Sequence, residues 1–89
     1  MDYVDNVKLT IIRFADQLLR EIIEIQNFEP HDFRIAKTTG AFLDEGRSLR
    51  QQIGDAADDA ALQKAHDLLT SLVTRVMFHR LAVRSQKFA

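Results

Sequence analysis

Leu62, Ala65, Leu69, Leu72, Val76, His79 and Val83 follow one another at alternating steps of three and four residues. That spacing lines all seven along one stripe of an α-helix, and a strand, whose side chains alternate with a period of two, would scatter them over both faces. Leu68, Val73 and Met77 flank the stripe. Asp55 or Asp58 supplies an N-cap, and acids at the start with cations at the end complement the helix dipole. A helix from about Asp58 to Arg84 is roughly 40 Å long at 1.5 Å per residue. A compact sphere of 89 residues has a radius of gyration of about 12 Å and a diameter of roughly 31 Å. The molecule must therefore be an elongated bundle, break this helix, or extend its end to a second chain.

Two further helical segments precede it. From about Tyr3 to Gln26, the series Val4, Val7, Ile11, Phe14, Leu18 steps by three and four, and Ile12, Ala15, Leu19, Ile22, Ile23 and Ile25 widen it. A stripe this broad touches two neighbours at once. Asp2 is a candidate cap, and Asp16 to Arg20 and Arg20 to Glu24 are four-residue pairs. The run FEPHD, Phe28 to Asp32, breaks the pattern. Pro30 suits only the first turn of a helix and pushes Glu29 out of the α region, so one helix ends near Asn27 and another begins at or just after Pro30. His31 and Asp32 belong to that helix start rather than to a site.

The second segment, about Pro30 to Ile53, carries Ile35, Thr39, Phe42, Gly46, Leu49 and Ile53 at helical spacing. Two of these six are not apolar side chains, and each interior glycine costs about 1 kcal/mol relative to alanine. Thr38-Thr39-Gly40 can therefore kink or break the helix, which would give four helices in all. Gly46 reads as a close helix approach or room for a facing Phe, with a hinge or ligand gap as the alternative, and Gly54 as the residue that ends the segment. The expected fold is all-α: one domain over residues 1–89, an up-down-up bundle of three long helices, or four if the second breaks near Gly40. Apolar residues left over the final turns make a dimer the expected state.

Composition excludes several classes of function. The chain has no cysteine, so thiol catalysis, disulfides and thiolate metal sites are out. A secreted domain this small usually carries disulfides, and the opening MDYVDNVKLT has acids where a signal peptide needs a basic region. The expected location is the cytoplasm. No apolar run exceeds three residues, Val76-Met77-Phe78 being an example, which is too short to span a bilayer. A net charge of −1 exerts no global pull on nucleic acid.

His79 is the sharpest chemical candidate, since it occupies a stripe position where an apolar residue belongs. It reads as a core or interface histidine with hydrogen-bonded ring nitrogens; the positions three and four residues away, Arg75, Val76, Ala82 and Val83, offer no second metal ligand. A buried imidazole beside Arg75, Arg80 and Arg84 should resist protonation, and in a dimer interface it would weaken association below about pH 6.5. His66, in the run HDLLTS, lacks the surroundings of a phosphorelay histidine. Glu21 and Glu24 lack the Glu-x-x-His partners of a di-iron bundle. No nucleophile–base pair, glycine-rich phosphate loop or zinc motif is present. Neither enzyme activity nor a cofactor or metal is expected.

The last 22 residues carry Arg75, Arg80, Arg84 and Lys87 and no acid after Asp67. The cations serve as dipole complement, as a rim for a protein partner, a second copy included, or as weak, salt-sensitive phosphate contacts. The leading expectation is a small cytoplasmic protein–protein interaction module of adaptor, chaperone, immunity or inhibitor type, working as a homodimer. Its partner-binding residues would be Met77, Leu81 and Phe88 as apolar anchors, Arg80 and Arg84 as charged rim, and His79. The alternative is a nucleic-acid-binding regulator using the same basic helix.

Overall fold

A computed structural model describes the backbone of residues 3–28 and 32–88, and the side chains of residues 5–27 and 32–85. It contains three helices, α1 (Tyr3–Phe28), α2 (Phe33–Asp55) and α3 (Asp59–Phe88), and no strand among the described residues. They form a narrow three-helix bundle, 50 × 17 × 17 Å, with a radius of gyration of 14.6 Å. Of the three outcomes open to a helix too long for a sphere, the elongated bundle is realised. The expectations that rest on Asp2, Glu29, Pro30 and His31 lie outside the described residues.

The α3 stripe is the interior wall. Leu62, Ala65, Leu69, Leu72, Val76 and Val83 are all buried. They meet Ile11, Ala15, Leu18, Ile22 and Ile25 of α1 and Leu43, Leu49 and Ile53 of α2 in one apolar core. Truncating a buried aliphatic residue of this kind costs about 2–5 kcal/mol, so this core supplies most of the stability. The interhelical ion pairs Asp16–Arg50 and Glu45–Arg75 are each about half exposed and weigh about 0–1 kcal/mol. The Arg50 Nε donates to Asp16 Oδ1 at 2.6 Å, and Arg75 grips Glu45 through two bonds of 3.2 and 2.7 Å. Asp16 thus finds its partner across to α2, not four residues along in Arg20.

The second helix departs from its expected form in three places. It does not break at Thr38-Thr39-Gly40, so the four-helix alternative falls. Thr39 is fully buried and its hydroxyl donates to the Ile35 carbonyl at 2.8 Å, which occupies the polar group inside the helix. Leu43 is buried where Phe42 was expected, while Phe42 and Ile35 pack at the edge of the core. The helix also continues through Gly54 to Asp55, and the chain leaves it in extended conformation at Ala56, whose N–H returns to Ile53. Asp32 accepts from the Arg34 and Ile35 amides ahead of α2, which starts at Phe33, and of the two candidate caps before α3 it is Asp58 that accepts, from the Ala61 amide. In α1, Phe14 and Ile23 of the expected stripe stay 44% and 40% exposed.

At Gly46 the helices approach closely. A Cβ there would lie 2.8 Å from Leu19 Cδ2, 3.7 Å from Leu72 Cδ2 and 3.8 Å from Ile22 Cδ1. Side chains of both α1 and α3 therefore reach the same point on α2. At Gly40, by contrast, a Cβ would meet nothing within 4 Å. Gly40→Ala should therefore stabilise the fold by about 0.5–1 kcal/mol, the backbone-entropy gain alone. Gly46→Leu should destabilise it by about 1–3 kcal/mol through overpacking. Urea unfolding of the two variants beside the wild type checks both signs.

Candidate functional site

The inner face of α3 leaves one polar group to account for. His79 sits between Val76 and Val83 on the stripe, half-buried, and its ring turns towards α2. Its Nε2 lies 2.8 Å from Thr39 Oγ1, and its ring meets Phe42 edge-on with centroids 5.3 Å apart. Thr39 has one hydroxyl proton, already donated to the Ile35 carbonyl. Both contacts are satisfied together when His79 carries its proton on Nε2 and donates it to the threonine oxygen. Burial pulls the imidazole below its ordinary value of 6.5. This arrangement is a structural polar contact between α2 and α3, and it turns His79 away from the other residues expected to bind a partner.

The outward face of α3 is different in kind. Thr70, Ser71, Thr74, Met77, Phe78, Leu81, Ala82 and Ser85 are all exposed and none is charged. Met77, Phe78 and Leu81 keep 60%, 68% and 59% of their surface open. Thr70, Thr74, Met77 and Leu81 step by four, three and four, a second helical stripe about half a turn from the first. Most long solvent-facing helices carry charge opposite their core stripe; from Thr70 to Ser85, α3 does not.

Charges stand only at the edges of this strip. Arg75 reaches across to Glu45 on the α2 side. On the α1 side, Phe14, Gln17 and Glu21 line a groove with Val73, Met77 and Arg80. Further along, Glu21, Glu24 and Ile25 share a cleft with Arg80, Val83 and Arg84. Of the residues expected to bind a partner, Met77, Leu81, Arg80 and Arg84 therefore share one exposed surface at the distal half of α3. Phe88 lies outside the described side chains. The sequence pattern alone did not assign Phe78 and Phe14 to this surface; the second stripe was the signal for the one, and Phe14 stood in a pattern that also fits a core.

Among the described residues no group of His, Asp or Glu is arranged to hold a metal ion, and no helix is long and apolar enough to cross a membrane. Compared with family models, curated proteins and solved structures, the chain matches none.

The His79 contact has a definite pH signature. A pKa lowered by folding means the fold favours the neutral ring, so this stability is whole above about pH 6.5 and is lost as the pH falls below it. The urea midpoint of the wild type should fall between pH 7 and pH 5.5 by more than that of His79→Gln. Thr39→Val, which keeps the shape and removes the hydroxyl, should cost about 1 kcal/mol at pH 7.

Proposed function

We propose that this chain is a small protein–protein interaction module which binds through the outward face of α3 and works as a homodimer. The observation that carries the reading is the uncharged strip from Thr70 to Ser85, with Met77, Phe78 and Leu81 more than half open to solvent. A contiguous apolar patch on so slim a body is the mark of a surface that another macromolecule covers. In this reading Met77, Phe78 and Leu81 are the anchors, and Arg80 and Arg84 form a rim that sets orientation.

An up-down-up course is part of the same proposal. Asp16 meets Arg50 and Leu19 faces Gly46, so partners in α2 run backwards as α1 advances. Thr39 pairs with His79 and Glu45 with Arg75, again in opposite order. Val7 and Leu62 flank one cleft while Ile25 and Val83 flank another, in the same order along α1 and α3.

The nucleic-acid alternative draws less support. Arg75 is held by Glu45, and Arg80 and Arg84 share their cleft with Glu21 and Glu24. Carboxylates interleaved with arginines weaken the potential that phosphate contacts need.

The test uses a photoreactive side chain placed at Phe78 and, as control, at exposed Gln51 of α2, in the full chain in its native cell. Adducts to protein at Phe78 and not at Gln51 are the expected result, and they should disappear in the Leu81→Glu background. Equal labelling at both positions, or recovery of nucleic acid in place of protein, would sink the reading.

A further inference from the structure

The seam between α1 and α3 does not close. We infer that it receives one amphipathic helix of a partner protein, with cations on the flank that faces α1 and acids on the flank that faces α3. The inference rests on the reading of this chain as an interaction module and deepens it by naming the element the partner brings. Met77 belongs to both surfaces, at the edge of the outward strip and in the wall of the seam.

Three observations carry it. The first is shape. Clefts of about 470, 270 and 120 Å³ follow one another along the seam, from Val7 and Leu62 past Phe14 and Met77 to Ile25 and Val83. Each wall carries a stripe of its own beside the core. Val7, Thr10, Phe14, Gln17, Glu21 and Glu24 step by three and four on α1. His66, Thr70, Val73, Met77, Arg80 and Arg84 step by four and three on α3. Two walls with this period accept the side chains of a further helix between their own. At 1.5 Å per residue the stripes are about 26 Å long, the length of about 18 helical residues.

The second is the backbone. Inside α1 and α3 the N–H and C=O groups pair within each helix, so the seam offers an occupant no backbone partner. An extended segment laid over Phe14, Val73 and Met77 would bury amides left unpaired, whereas a helix arrives with its own satisfied. The threonines of the walls ask for nothing either. Thr10 donates to the Asn6 carbonyl and Thr70 to the His66 carbonyl.

The third is charge. From Val7 to Gln17 and from His66 to Met77 the two stripes hold no carboxylate, lysine or arginine. Beyond them Glu21 and Glu24 stand on the α1 wall, and Arg80 and Arg84 on the α3 wall. None of the ion pairs among the described residues joins these four. An apolar stripe between a cationic and an acidic flank is complementary to this arrangement.

The probe is a labelled synthetic peptide of about 18 residues, with leucines at steps of three and four, lysines along one flank and glutamates along the other. Fluorescence anisotropy with the purified chain should show half-saturation below about 100 µM. Phe14→Glu, at a position already 44% exposed, should weaken binding about 10-fold or more with helicity kept. Phe78→Glu and Gln51→Glu should leave it unchanged. Glu21→Lys combined with Glu24→Lys makes both rims cationic and should shift the preference to a peptide with glutamates on both flanks. The original composition with leucines at every second position should not bind. No saturable binding, equal binding of the period-two peptide, indifference to Phe14→Glu, or no shift on charge reversal would each overturn the inference. A dimer of the purified chain that Phe14→Glu dissolves would give the seam to a second copy and overturn a foreign helix. Should Phe78 label protein in the cell while the peptide fails to bind, the seam falls and the outward face stands.

Discussion

The bundle depends on the close approach at Gly46. At that point α2 carries no side chain, and Leu19 and Ile22 of α1 and Leu72 of α3 fill the space it leaves. Interhelical distance is set by the side chains at the contact, so a glycine here lets α1 and α3 close in on α2 within a bundle 17 Å wide. The ion pairs lie close by, Glu45–Arg75 beside the glycine and Asp16–Arg50 one turn further on. They are too exposed to add much free energy. The rotation of α2 follows from burial of Leu43, Leu49 and Ile53, which also brings Thr39 to His79.

A rod so thin has consequences for α3. Its two neighbours cover one side of it, and Met77, Phe78 and Leu81 on the other side stay open among the described residues. A larger domain would lay another helix there. This chain leaves Met77, Phe78 and Leu81 open instead, with hydroxyl side chains spaced between them and charge confined to the edges. Function, on this view, begins where the core of the bundle stops. His79 shows the same logic on the inner side. A polar ring at a core position is tolerated because Thr39, itself fully buried, supplies a partner and has its own proton placed on Ile35.

How legible each helix was depended on how many neighbours decide a position. The inner stripe of α3 read well from spacing alone, six of its seven residues being buried and His79 half-buried. The stripe of α1 was too generous: Phe14 and Ile23 fit the period yet remain partly open, since a broad stripe does not say where its two neighbours stop. For α2 the glycines and threonines lowered its helical propensity, and the expected break did not occur because tertiary contacts outweigh a cost of about 1 kcal/mol. Met77, Leu81, Arg80 and Arg84 were recognisable as one surface from the end of the chain. Phe78 was not, because an aromatic residue beside a seam is as consistent with packing as with exposure.

The sequence by itself determined that the chain is helical, roughly where α2 and α3 start, and which face of α3 enters a core, because periodicity and capping are local properties of consecutive residues. Only the tertiary structure decided which side chains close on Gly46, that Asp16 answers Arg50, that His79 turns inward to Thr39, and that Phe78 faces out. Those outcomes are set by distances between residues tens of positions apart, and such distances exist only once the three helices have packed.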